Sequence, residues 1–191
     1  MTKKKFKILF GMLIFLILAI AYSLSDYNPI YRNEKFEYLT NKLKNTQKEN
    51  LSSFTRIYKK INTKLKNEKC PCDRATDYIG PYRHGFSITP FLYQLKIQQN
   101  FTQTDCFKFL LLNTDFKSSY SDSGNKTFGI KEASKFYFNK NIVQLNEDEI
   151  LTLIAMLKNP GFYDLIRNKK GVQNRVLFFK KALHNEKVKK D

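Results

Sequence analysis

An apolar run near the start of the sequence constrains this chain more than any other feature. Residues Ile8 to Leu24 carry no charged side chain, and four lysines stand just before them. Seventeen helical residues measure roughly 25 Å, close to the hydrocarbon thickness of a thin bilayer. Because flanking lysines hold a span's end in the cytoplasm, we expect the rest of the chain to lie outside.

This interpretation predicts a single-pass protein of the cytoplasmic (inner) membrane with its N-terminus in the cytoplasm. The expected parts are a basic cytoplasmic tail (residues 1–7), a transmembrane anchor (8–24), a helical stalk (25–68) and an extracytoplasmic helical domain (69–191). A cleaved signal peptide is the alternative, because Ala19-Ile20-Ala21 has the small-x-small form of a cleavage site. The bulky Tyr22 and Leu24 that follow favour the uncleaved anchor.

The charge balance predicts an anionic partner. The sequence has 34 Lys and Arg against 17 Asp and Glu, a net charge of +17, and +13 remains after residue 24. Outside the membrane, lipid headgroups and cell-wall precursors are nearer anions than nucleic acid, and no nucleic-acid-binding motif is present. We therefore expect no nucleic-acid partner. A basic domain resting on anionic lipid is an alternative, which predicts salt sensitivity without saccharide selectivity.

Apolar residues at steps of three and four predict a predominantly α-helical protein. Residues 25–33 are expected to form an extended connector, residues 69–90 are broken by Pro and Gly, and Ser118–Lys126 is a polar loop. The predicted helices lie in Glu34–Glu68 (broken near Asn45–Asn50), Phe91–Asn113 (two helices joined near Asn100–Thr104), Gly129–Phe138, Asn146–Leu157 and Gly171–Lys187. In the fourth segment, Asn146 and Glu149 have the spacing of a capping box.

The three cysteines favour a disulfide over a metal site. Cys70 and Cys72 are too close for an easy bridge to each other, so one of them is expected to pair with Cys106. His84 and His184 stand alone, at spacings that do not match a metal site. We expect no metal and no cofactor.

The acidic residues give no clear catalytic pair. Acid–base chemistry on a glycosidic bond needs two carboxylates with different pKa values in one cleft. The acids between residues 70 and 135 show no such spacing: Asp73, Asp77, Asp105, Asp115, Asp122 and Glu132.

Four segments of residues 101–183 nevertheless resemble one known family. Each segment has a counterpart in that family, and the segments occur in the same order there. The four segments are Asp105–Asn113 (DCFKFLLLN), Gly129–Lys140 (GIKEASKFYFNK), Leu145–Ala155 (LNEDEILTLIA) and Asn159–Asp164 (NPGFYD). The chain resembles the peptidoglycan glycosyltransferase (transglycosylase) family, of the family-51 type, which polymerises lipid II. The resemblance implies a lysozyme-like helical lobe that acts in cell-wall assembly.

The resemblance also implies candidate site residues. Asn113 lies on the family's Asn, and Arg175 lies where the family has an Arg in its terminal helix, so both are expected to bind substrate. Near the family's first motif, Asp73 is the candidate catalytic base and His84 a candidate substrate-binding residue. The implied partners are lipid II or peptidoglycan glycan, the membrane and cell-wall synthases.

Both Glu-containing motifs of the family are missing here. Neither Cys72-Asp73-Arg74 nor Tyr82-Arg83-His84-Gly85 supplies the first Glu, and Phe91 falls on the second. Loss of a general base costs roughly 10²–10⁴-fold in rate, so we expect weak or absent catalysis. The alternative is a non-catalytic scaffold that binds precursor, glycan or a synthase.

Overall fold

The computed structural model describes residues 3–63, 69–80, 88–116 and 129–184, and these residues are mainly α-helical with no strand among them. The helices, in chain order, are α1 (Lys3–Ser23), α2 (Glu34–Gln47), α3 (Ser52–Asn62), α4 (Pro71–Thr76), α5 (Thr89–Asn100), α6 (Gln103–Asn113), α7 (Ile130–Phe138), α8 (Glu147–Leu157) and α9 (Lys169–Leu183).

The apolar run of α1 is helical and its side chains are exposed. Its large apolar residues range from 43% exposure at Ile14 to 75% at Phe15. Among the described residues, no helix reaches the length and hydropathy required of a membrane span.

Helices α2 and α3 contribute to the same hydrophobic core as the later helices. Leu39 and Leu43 of α2 are buried where it packs on α6, and Phe54 and Ile61 of α3 are buried against α8 and α9. Helix α2 ends at Gln47 and α3 begins at Ser52, so residues 48–51 separate them. The predicted break near Asn45–Asn50 is therefore confirmed.

The connector before α2 is not wholly extended as predicted, because Pro29–Tyr31 forms a turn of 3₁₀ helix. The Tyr31 ring is buried and packs 5.2 Å from Phe36 and 6.2 Å from Tyr93, between ring centroids. Burial of this aromatic cluster holds the turn against α5, a tertiary contact that local sequence does not reveal.

Helix α4 was not predicted, because its proline and glycine neighbours resemble a loop. Pro71 occupies its first turn, where a missing backbone N–H is tolerated, and the Cys70 sulfur accepts from the backbone N of Asp73. A disulfide joins Cys72 of α4 to Cys106 of α6, while Cys70 is a free thiol. The expected bond to Cys106 is confirmed, and the structure selects Cys72 as its partner.

The segment from α5 to α9 follows the predicted helices closely. The turn between α5 and α6 falls at residues 101–102, and α8 begins with the predicted capping box of Asn146 and Glu149. From Ile150 onward α8 is mostly buried, and it packs on α9, which starts two residues before the predicted Gly171. The predicted loop Ser118–Lys126 lies outside the described residues.

Gly129 permits close packing of α7 on α6. A Cβ atom at this position would lie 2.4 Å from the backbone oxygen of Leu112, closer than two such atoms can approach. The glycine that opens the segment resembling the transglycosylase family is therefore required by the helix–helix contact.

Replacement of both Cys72 and Cys106 by alanine should lower the free energy of unfolding by about 2–5 kcal/mol. The reason is that the bond closes a loop with a sequence separation of 34 residues, and so restricts the unfolded chain. Urea unfolding followed by circular dichroism measures the loss. Cys70→Ser is the control: it removes the free thiol but keeps a side-chain acceptor for the backbone N–H of Asp73, so the midpoint should change little. Equal midpoints for the double variant and the wild type would contradict this prediction.

Candidate functional site

A small cavity lies where α3, α4, α6, α8 and α9 meet. Its walls are mainly aromatic and aliphatic, with Tyr58 and Phe107 stacked at 3.9 Å between ring centroids on one side. Among the described residues, no carboxylate contributes to its lining, and four cationic residues do: Lys69, Arg74, Lys158 and Arg175. With a volume of about 20 Å³, the cavity has room for about one water molecule, so its cations suit a negatively charged group that a ligand places at the mouth of the cavity.

Arg74 joins the cavity to the end of α8. The short helix α4 carries it, and its Nη2 donates to the backbone oxygen of Leu157 at 2.7 Å. The last carbonyl groups of a helix have no intrahelical donor and carry partial negative charge, which a guanidinium satisfies well. Arg74 therefore both fixes α4 on α8 and supplies positive charge to the cavity.

Arg175 of α9 lies between two aromatic rings. Its guanidinium carbon is 5.2 Å from the ring centroid of Tyr163 and 4.9 Å from that of Phe179. Contact with these ring faces orients the planar guanidinium. The structure thus places Arg175, predicted to bind substrate, in the same cavity lining as Arg74.

Asp73, the predicted catalytic residue, lies in α4 next to Arg74 but is not part of the cavity lining. Its side chain is 29% exposed, and Oδ2 lies 3.9 Å from Nζ of Lys69, which is equally distant from Asp77. The carboxylate therefore faces a cation at the edge of the cavity.

Asn113, also predicted to bind substrate, lies at the end of α6 and is not part of the cavity lining. Its Nδ2 donates to the Phe109 backbone oxygen at 2.8 Å, inside its own helix. The chain just beyond it is held by Tyr137, whose hydroxyl donates to the Phe116 oxygen at 2.9 Å. Burial raises the pKa of Tyr137 to about 12, so this donor keeps its proton.

His84, the remaining predicted substrate-binding residue, lies outside the described residues. The described part of the chain contains no group of three or more His, Cys, Asp or Glu side chains arranged to hold a metal ion.

Three carboxylates stabilise the fold through contacts with the backbone. Asp105 and Glu149 complete capping boxes, and Asp164 accepts from the backbone N–H groups of Ile166 and Arg167. The Lys140 ammonium lowers the pKa of Glu149, and hydrogen bonds from Thr102 lower that of Asp105 although burial opposes them. A general acid in glycosyl transfer needs a raised pKa. Glu149 and Asp105 have the opposite shift, toward a lower pKa.

Comparison with known proteins assigns the family. The transglycosylase family profile matches residues 89–184, about half of the sequence. The chain belongs to the transglycosylase family. A 60-residue stretch is 32% identical to the biosynthetic peptidoglycan transglycosylase of Chromobacterium violaceum, covering 31% of this chain and 26% of that protein. The chain thus matches about a quarter of that relative's length. No solved structure matches the chain.

The transglycosylase match covers α5 to α9 and so includes only part of the cavity. Lys158 and Arg175 belong to the matched segment, whereas Lys69 and Arg74 precede it. This transglycosylase-family chain completes the cavity with α3 and α4.

Sequence reasoning missed three of the cavity's four cations. Lys69 and Arg74 are separated from Lys158 by more than 80 positions, so no local spacing connects them. A weak signal was present in composition, because the chain has only six arginines and two of them, Arg74 and Arg175, line this cavity.

Arg74→Ala should lower the free energy of unfolding by about 1–3 kcal/mol, because it removes the charged donor to the Leu157 carbonyl. Urea unfolding measures the change. Arg74→Lys should recover part of it, since an ammonium also interacts favourably with a helix C-terminus. An alanine variant as stable as the wild type would show that this hydrogen bond contributes nothing.

Proposed function

We propose that this transglycosylase-family protein acts in peptidoglycan assembly by binding a lipid-linked saccharide precursor of the lipid II type, through the four-cation cavity. That cavity is the observation that carries the proposal. Lipid II contains a pyrophosphate group between its lipid and its saccharide, and clustered Lys and Arg side chains are the usual partners of such a group.

Binding accounts for this geometry better than rapid polymerisation does. Polymer growth requires a base for the acceptor hydroxyl and stabilisation of the departing pyrophosphate. Cations for the second task line the cavity, whereas none of the lining residues that the structure describes is a carboxylate that could perform the first. A scaffold role, in which the bound precursor or glycan is presented to a cell-wall synthase, agrees with this imbalance.

One observation favours catalysis as the second candidate function. Asp73 precedes Arg74 in α4, and its partly exposed carboxylate lies 3.9 Å from the ammonium of Lys69, which lines the cavity. Polymerisation by this protein would therefore depend on Asp73.

Lipid II binding should depend on the exposed cavity cations. Lys69→Gln/Lys158→Gln should weaken lipid II binding about tenfold or more, since each lost charged contact contributes roughly 1.5–3 kcal/mol. The measurement is a titration of fluorescent lipid II against the full chain in detergent. Lys44→Gln/Lys48→Gln is the matched control: it removes the same charge from exposed α2 positions away from the cavity.

The two functions separate in a polymerisation assay on the same samples. Binding without glycan chains, where a positive-control enzyme makes them, supports the scaffold role. Chains that disappear in Asp73→Ala support catalysis. If the cavity and control variants bind lipid II equally, the cavity is not the binding site and the proposal fails.

The proposed location is the cytoplasmic membrane, with α1 as a single-pass anchor and the helical domain outside. The support is the exposed apolar surface of α1 and the Cys72–Cys106 disulfide, since such bonds persist in oxidising compartments. The charge-free run of seventeen residues is short for a span, which ordinarily takes about 20.

Protease added to intact spheroplasts tests this location. We expect the domain to be digested from outside while a tag placed before Lys3 stays protected until the membrane is broken. A cytoplasmic control protein monitors lysis. A domain that survives in intact cells and is digested only after lysis would contradict the proposed orientation.

A further inference from the structure

Helix α5 departs from the usual arrangement of a surface helix. Its Lys96 is only 5% exposed, whereas Phe91 in its first turn and Ile88 just before it are 56% and 57% exposed. A helix on a globular domain ordinarily buries apolar side chains and exposes charged ones. Both departures are explained by the position of α1.

Lys96 holds the carboxyl end of α1. Its Nζ donates to the backbone oxygen of Leu24 at 2.7 Å and lies 2.6 Å from Oδ1 of Asp26. The Tyr31 hydroxyl donates to the oxygen of Ser23 at 2.8 Å. Carbonyl groups at a helix end attract cations and donors. These contacts, which we call the α1 clamp, attach the apolar helix directly to the domain.

The clamp contacts place the first half of α5 beside the end of α1. The Tyr31 hydroxyl that bonds Ser23 also lies 3.4 Å from the backbone oxygen of Leu92, while Leu24 is held by Lys96. The backbone of Leu92, in the first half of α5, is thus beside the carboxyl end of α1.

Three large side chains close in sequence to these contacts are exposed. Ile88 stands four residues before Leu92 and shares its side of the helix, and Phe91 is three residues after Ile88. Tyr27, 79% exposed, directly follows the clamped Asp26. We call Tyr27, Ile88 and Phe91 the α5 edge. Aromatic and large apolar side chains beside a membrane helix are typical of the lipid–water interface.

We propose that the α5 edge docks on the lipid bilayer that holds α1, and that the α1 clamp fixes the domain in this orientation. The bilayer is the occupant because the edge continues the apolar surface of α1 and because the exposed Arg32, next to Tyr31, can pair with lipid phosphates. The inference rests on the proposed membrane location. It implies that a lipid-linked precursor in the same bilayer meets the domain at a fixed depth and angle.

The absence of tryptophan from the sequence allows a direct test. Three single-tryptophan variants of the full chain are reconstituted in vesicles of phosphatidylglycerol and phosphatidylethanolamine, with lipids brominated near the top of the acyl chains. Phe15→Trp reports on α1, Phe91→Trp on the α5 edge, and Leu177→Trp on α9, an exposed apolar position on a helix that packs mainly on α8 and α3. Interfacial side chains reach about 5–10 Å into the bilayer.

We expect brominated lipid to quench the fluorescence of Phe15→Trp and Phe91→Trp and to leave Leu177→Trp unchanged. Quenching of Phe15→Trp alone would overturn docking of the α5 edge while the proposed location stands. No quenching of Phe15→Trp would overturn the location and the docking together. Equal quenching of Leu177→Trp would show that the domain contacts lipid without a preferred face.

Clamp variants test the role of Lys96. In the Phe91→Trp background, Lys96→Gln should reduce the quenching by brominated lipid, because the domain is no longer fixed to α1. In the Phe15→Trp background, Lys96→Gln should leave the quenching unchanged. Asp26→Asn is a milder variant: it weakens the ion pair but leaves the bond from Lys96 to the Leu24 carbonyl, so folding is expected to persist. Undiminished quenching in both clamp variants would overturn the role of the clamp.

Discussion

The disulfide between Cys72 and Cys106 is the interaction on which the candidate site depends. Helix α4 has six residues, too few to be stable by its own hydrogen bonds. The covalent bond holds it against α6, and from that position Arg74 reaches the carbonyl end of α8. Two of the cavity's cations come from α4 and the residue before its cap. A fold without this bond would keep the core helices but lose one wall of the cavity.

Two buried or half-buried cations in this protein hold helix ends. Arg74 satisfies the end of α8, and Lys96 satisfies the end of α1. Charge used in this way contributes to the fold and is only partly available to a ligand. The net charge of +17 therefore overstates the capacity for anion binding. The exposed Lys69 and Lys158 are the cavity cations whose removal tests binding with the least effect on folding.

The proposed functions share one physical arrangement. A helix with an apolar surface is attached without a flexible connection to a helical transglycosylase domain, and a cation-lined cavity lies in that domain. A precursor whose lipid is embedded in the same bilayer would meet the cavity from a restricted set of directions. Restricting the approach of a bound partner lowers the entropic cost of binding. This arrangement suits a scaffold as well as an enzyme, and Asp73 is the residue that separates the two.

The sequence by itself determined the α-helices other than α4, the family and the existence of a bond to Cys106. Helical periodicity and the capping box of Asn146 act within a few residues, so local sequence is sufficient for them. Only the tertiary structure decided that Cys72 is the bonded cysteine, that Pro71 starts a helix and that Arg175 shares a cavity with Arg74. These features depend on contacts between residues that are distant in the chain, and the spacing of residues along a sequence contains no information about such contacts.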